Sequence, residues 1–229
     1  PAVARPHVPA PAEIWPDETD PLRMLPAPIL TSNDFSQWYH HTVSMYDVEN
    51  QKVTRRSLKD GDHATQWEYL DWMVSPSSNA AAGMLMHEAM LMRQFGTDYP
   101  PTAEQAKHFF AATPRKELSS LFVKTFVEPL ERNGFDPDKF RQASFFTREG
   151  KKRVQGPGSS YATARQLMLY GLKVEQGKLV DEFSSRQLKR LIYVTERRIR
   201  YASSPALKDA AVYFKSGSLY SCKEEEGFK

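Results

Sequence analysis

Two polar stretches far apart in the chain, Ser77-Ser78-Asn79 and Lys215-Ser216-Gly217-Ser218, hold the side chains best suited to passing a proton and hydrogen-bonding a polar substrate. A hydroxyl and an amine can relay a proton to a leaving group, and an amide can hold a substrate carbonyl or N–H. Such chemistry requires the two stretches to meet, so the elements carrying each of them matter. Thr65-Gln-Trp-Glu68 is a capping-box pattern that starts a short helix through Tyr69, Leu70 and Met73, ending just before Pro76. Ala80 to Phe95 repeats apolar residues at helical spacing and closes at Gly96. Ser77-Ser78-Asn79 therefore sits on a tight helix-to-helix connection, where serine and asparagine are also ordinary capping residues. The second stretch interrupts Ala210-Ala-Val-Tyr-Phe and Leu219-Tyr220, which reads as a buried strand, and a glycine there marks close approach of a ligand or another backbone.

In this order the two stretches resemble the penicillin-recognising serine hydrolases, the class A β-lactamase-like family and its relatives among penicillin-binding proteins. That family carries Ser-x-x-Lys, then Ser-x-Asn on a helical connection, then Lys-Ser/Thr-Gly on the strand lining the site. Met73-Val74, the alanine-rich helix after Asn79, and Tyr161-Ala-Thr-Ala-Arg165 are similar too, so the likeness spans roughly residues 60 to 221. The resemblance implies acyl transfer through a covalent acyl-enzyme on a β-lactam, peptide or ester substrate. It implies that Ser77 passes protons toward the leaving nitrogen and that Asn79 holds the substrate amide and orders a lysine. Lys215 would set positive charge beside a substrate carboxylate, and Ser216 would hydrogen-bond that group. Gly217 would leave room for substrate, and the backbone N–H of Ser218 would be an oxyanion donor. No metal or organic cofactor is implied, and the location implied is the periplasm or the cell exterior.

No serine in the chain has a lysine three residues later; Ser57-Leu-Lys59 and Ser120-Leu-Phe-Val-Lys124 have the wrong spacing, and Thr113-Pro-Arg-Lys116 follows Ser-x-Asn. The nucleophile is therefore expected upstream of Pro1, with the chain forming the central part of a longer hydrolase. The alternatives are an inactive relative that binds peptides or glycans in the same groove, and a helical interaction protein with coincidental motifs. The family's Glu-x-x-Leu-Asn loop is also missing. Residues 144 to 160 read as a long surface loop in which Glu149 is the one carboxylate.

The chain has 229 residues, 40% hydrophobic and 26% charged, with a formal net charge of +3, an ordinary globular composition that does not point to nucleic acid. Its single cysteine, Cys222, excludes an internal disulfide, and no apolar run is long enough for a spanning helix. His40-His41 lies on a strand entry, where neighbours point to opposite faces, and His63, His87 and His108 lack ligand spacing, so a zinc site is disfavoured. Eight prolines before residue 30 make residues 1–35 an extended arm or linker ahead of a domain at 36–229. Thr42–Val48 and Lys52–Arg55 read as a hairpin about Glu49-Asn50-Gln51. Further helices are expected from Thr102, from Thr113-Pro114 with a break at Pro129, from Asp136-Pro137 through Phe140, from Tyr161 to Gln176, and over Val180 to Arg200. In the Tyr161 helix Leu167, Met168, Tyr170 and Leu172 are expected to face inward. The fold class is α/β (α+β) of the β-lactamase/transpeptidase-like type. A mainly helical subdomain at about 60–200 is expected to pack on an antiparallel sheet that includes a strand at about 210–221, incomplete at both ends.

Overall fold

The computed structural model describes residues 29–37, 41–47, 49–195 and 198–217. Within them the chain is mixed α and β, with helices dominant and strands confined to short antiparallel pairs. Strand β1 (Ile29–Thr31) pairs with β4 (His63–Thr65), β2 (Val43–Asp47) with β3 (Lys52–Arg56), and β5 (Phe140–Arg141) with β6 (Tyr161–Ala162). The β2–β3 hairpin is the one read from the sequence, its turn fixed by the Asp47 carboxylate accepting from the backbone and side-chain N–H groups of Asn50. Three separate ribbons replace the larger sheet expected beneath the helices. The arm ends earlier than residue 35: Leu30 on β1 and Phe35 on a 3-10 turn at Asp34–Ser36 are buried core residues. Residues 1–28 lie outside the described residues.

The helices start where the sequence places their caps. α1 (Gln66–Val74) opens on a capping box in which Thr65 and Glu68 satisfy each other's backbone N–H groups. α2 (Asn79–Phe95) is buried along most of its length and ends at Gly96, whose φ of 54° suits a residue without Cβ. α3 (Ala103–Ala112) repeats the capping box with Thr102 and Gln105. α4 (Arg115–Phe126) and α5 (Glu128–Arg132) are the two pieces into which Pro129 splits the next segment.

Downstream of α5 several elements differ from those expected. Asp136-Pro137 starts a turn instead of a helix, because the Asp136 carboxylate binds the Asp138 N–H and the Lys139 ammonium, and Phe140 enters β5. The 144–160 segment is not a surface loop. Phe145, Thr147 and Val154 are fully buried in it, and a short helix α6 (Arg148–Arg153), capped by Thr147, packs on the Asp34–Ser36 turn. Lone apolar residues spaced among Gly, Lys and Arg carry no periodic signal, so a burial of this kind escapes a pattern search. α7 (Ala164–Glu175) begins after the Thr163 cap, and α8 (Glu182–Tyr193) is shorter than the expected Val180–Arg200.

Most of the buried side chains form one cluster in which Met84 and Met90 of α2 are central, with Tyr69, Trp72, Leu118, Phe122 and Phe145 packed around them. The close approach of the Asp34–Ser36 turn depends on Gly83, where a Cβ would fall 2.4 Å from the Phe35 carbonyl oxygen. A second cluster gathers Phe135, Val174 and Leu179 with Tyr170 and Leu188. It takes only one edge of α7. Tyr170 turns inward as expected, whereas Leu167, Met168 and Leu172 are 53%, 66% and 48% exposed, because no element covers that face among the described residues.

Candidate active site

The site is built where α1 hands the chain to α2. The Ser75 N–H closes the last turn of α1 on the Asp71 carbonyl, and the Ser78 N–H reaches back to the Trp72 carbonyl at 2.9 Å. The four-residue link between the helices is thereby pinned at both ends. Closing so short a link requires a left-handed residue, and Ser77 supplies it with φ 61°. That conformation is uncommon for a side chain other than glycine, asparagine or aspartate and costs of order 1 kcal/mol or more. The capping duty in Ser77-Ser78-Asn79 falls on Ser78, 1% exposed, whose Oγ accepts from the Ala81 N–H at 3.2 Å. Asn79 is the first residue of α2 and is half-buried. Ser77 is thus released from capping and turned aside for other contacts.

The partner it finds is Lys215. The Lys215 Nζ donates to Ser77 Oγ at 2.6 Å and to the Ser216 carbonyl at 2.9 Å, joining positions 138 residues apart. A chain of packing contacts accounts for the meeting. α8 packs on α1, and the Arg190 guanidinium lies 4.9 Å over the Trp67 ring. The segment before Lys215 then rides on α8. Tyr213 lies tilted against Tyr193 with centroids 5.3 Å apart, and Lys189 Nζ lies 4.9 Å over the Tyr213 ring. The Phe214 N–H reaches the Ile192 carbonyl at 3.4 Å. This replaces the expected strand: residues 211–217 have no strand pairing, since the ribbon edges lie elsewhere and α8 is their neighbour.

An ammonium has three hydrogens and no lone pair, so Ser77 Oγ accepts from Lys215 and its own hydrogen points away from the lysine. The hydroxyl is left as a directed donor. Desolvation lowers the Lys215 pKa from its ordinary value of 10.5, which makes the amine a readier proton source than a free lysine. Of the other residues read from the sequence, Ser216 is half-buried and supplies its carbonyl to Lys215, and Gly217 is exposed. Ser218 lies outside the described residues. Glu149 sits on α6, its carboxylate 3.6 Å from Lys152 Nζ. Among the described residues no group of three or more His, Cys, Asp or Glu side chains is placed to hold a metal ion, and no helix is long and apolar enough to cross a membrane.

Sequence reasoning missed a second polar cluster: His87 and Glu88 on α2 with Tyr99 beyond it. The adjacent His-Glu pair was a visible signal, but Tyr99 joins it only through the turn that follows Gly96. No protein-family model, curated protein or solved structure matches this chain.

Proposed function

We propose that the Ser77–Lys215 pair serves acyl transfer in a serine hydrolase of the β-lactamase or penicillin-binding type, with the nucleophilic serine outside this chain. The observation that carries the reading is the 2.6 Å contact between two side chains singled out from sequence order alone. In the proposed step the nucleophile attacks the carbonyl of a β-lactam, peptide or ester. As the C–N or C–O bond breaks, the Ser77 proton passes to the leaving atom and a Lys215 proton refills Ser77 Oγ. One proton leaves the lysine and one arrives at the leaving group, while the hydroxyl proton that the nucleophile loses on attack passes to the base beside it, which in this reading also lies outside this chain. Asn79, at the start of α2, is the nearest amide in sequence for a substrate carbonyl or N–H. Ser216 and Gly217 line the substrate side of Lys215 in this reading, and Ser218 offers its N–H to the oxyanion.

The test is intact-mass analysis of the full-length natural protein incubated with benzylpenicillin and, separately, a fluorophosphonate. One covalent adduct per chain is expected, and Lys215→Ala is expected to slow its formation about 100-fold. A natural protein that forms no adduct with either reagent overturns the hydrolase reading. Saturable, non-covalent binding of a stem peptide would then favour an inactive relative that keeps the groove, a reading motivated by the missing Ser-x-x-Lys.

A further inference from the structure

Helix α7 turns two faces to two different surroundings. Tyr170 and Val174 pack into the second cluster, whereas Leu167, Met168 and Leu172 share an exposed face with Ala164, Gly171 and Glu175. Gly171 lies near the middle of that face. Nothing among the described residues stands within 4 Å of where its Cβ would be, so packing within the chain does not account for a glycine there. Glycine is the poorest helix former after proline, and what it offers a helix surface is close approach by another backbone.

The face is also complementary to itself. Met168 and Leu172 lie two residues either side of Tyr170, Arg165 and Glu175 lie five residues either side, and all four are exposed. Two copies of α7 crossing antiparallel at that height about a two-fold axis set Met168 of each against Leu172 of the other. The same crossing brings Arg165 of each level with Glu175 of the other. Glu175 already accepts from Lys189 on one carboxylate oxygen, yet its side chain is 64% exposed and open to a second cation. We infer that this face of α7 docks a second copy of the chain, as an isologous antiparallel helix pair centred on Met168, Gly171 and Leu172. The pair is weak. A helix of 12 residues is about 18 Å long and offers less than the roughly 800 Å² per partner of a stable interface, which sets Kd on the order of 100 µM. Chains at about 5 µM are therefore mostly single.

The test is sedimentation equilibrium on the whole chain from about 5 to 500 µM, where the average mass is expected to climb from one chain toward two. Met168→Glu, at an exposed position, is expected to weaken association at least about tenfold while circular dichroism shows the helices intact. Arg165→Glu and Glu175→Arg are each expected to weaken it about tenfold, because each sets like charges against one another at two places across the axis. Mixed in equal amounts, these two variants meet with opposite charges at both places, and association is expected to return to within about threefold of the parent. Loss of folding in either variant could not give that rescue. A single chain at every concentration, as when a segment of the same chain covers the face, would overturn the inference. So would association unchanged in Met168→Glu, or a mixture that associates no better than its components.

Discussion

Ser77 combines two properties that pull in opposite directions: a left-handed backbone at φ 61° and a side chain committed to Lys215. Ser77→Gly relieves the first and removes the second. Chemical denaturation is expected to show a variant as stable as the parent, or more stable by up to about 1 kcal/mol, while under the proposed function acylation of the natural protein drops sharply. A loss of 2 kcal/mol or more would mean that the Lys215 contact outweighs the strain. Ser78 behaves differently. Its hydroxyl is buried and caps α2, so Ser78→Ala should cost about 1–2 kcal/mol. The lysine and serine stretches were singled out because their residue types and order resemble those of a known hydrolase family. Which of two adjacent serines caps and which reaches outward was not legible, because that depends on the Ser78 N–H finding the Trp72 carbonyl.

At the scale of elements, capping boxes at Thr65 and Thr102 and the break at Pro129 made the helical order from α1 to α5 readable, since each is a local hydrogen-bond or ring constraint. The later elements were less so. Leu167, Met168 and Leu172 repeat at helical spacing and were read as core, yet periodicity says only that a face is apolar and not that something covers it. Met168→Lys and Leu172→Lys should therefore each change stability by no more than about 0.5 kcal/mol in urea denaturation; a loss of 2 kcal/mol would place that face in a packed core. Gly83 supplies the opposite case. A methyl group there would strike the Phe35 carbonyl at 2.4 Å and the Thr147 side chain at 2.8 Å. Gly83→Ala should destabilise the protein by about 1–3 kcal/mol, because backbone atoms have to shift between α2 and the Asp34–Ser36 turn.

For the molecule as a whole, a buried polar contact ties β1 and its following turn to α1. The Ser32 hydroxyl lies 2.6 Å from the Tyr69 hydroxyl, which also donates to the Asp62 carbonyl at 3.3 Å. Burial pushes the Tyr69 phenol up to about 12 from an ordinary 10.0. A raised phenol pKa means the folded protein holds its proton longer than the unfolded chain does. That contribution is complete below pH 10 and is lost as pH rises through about 12. Tyr69→Phe should flatten the alkaline fall in stability while costing about 1–3 kcal/mol at neutral pH, where Ser32 loses its partner. The α2 helix itself was legible from its apolar residues at helical spacing. The absence of a sheet beneath the helices, among the described residues, was not, because residues 211–217 of the strand expected at about 210–221 lie against α8 without strand pairing. That displaced segment still delivers Lys215 to Ser77. NMR titration of Lys215, observed through its side-chain ¹³Cε and ¹⁵Nζ signals in the parent and in Ser77→Ala, tests this meeting. A midpoint below 10.5 is expected, with signals that move when the Ser77 hydroxyl is removed. A midpoint at the ordinary lysine value, with signals indifferent to Ser77→Ala, would contradict it.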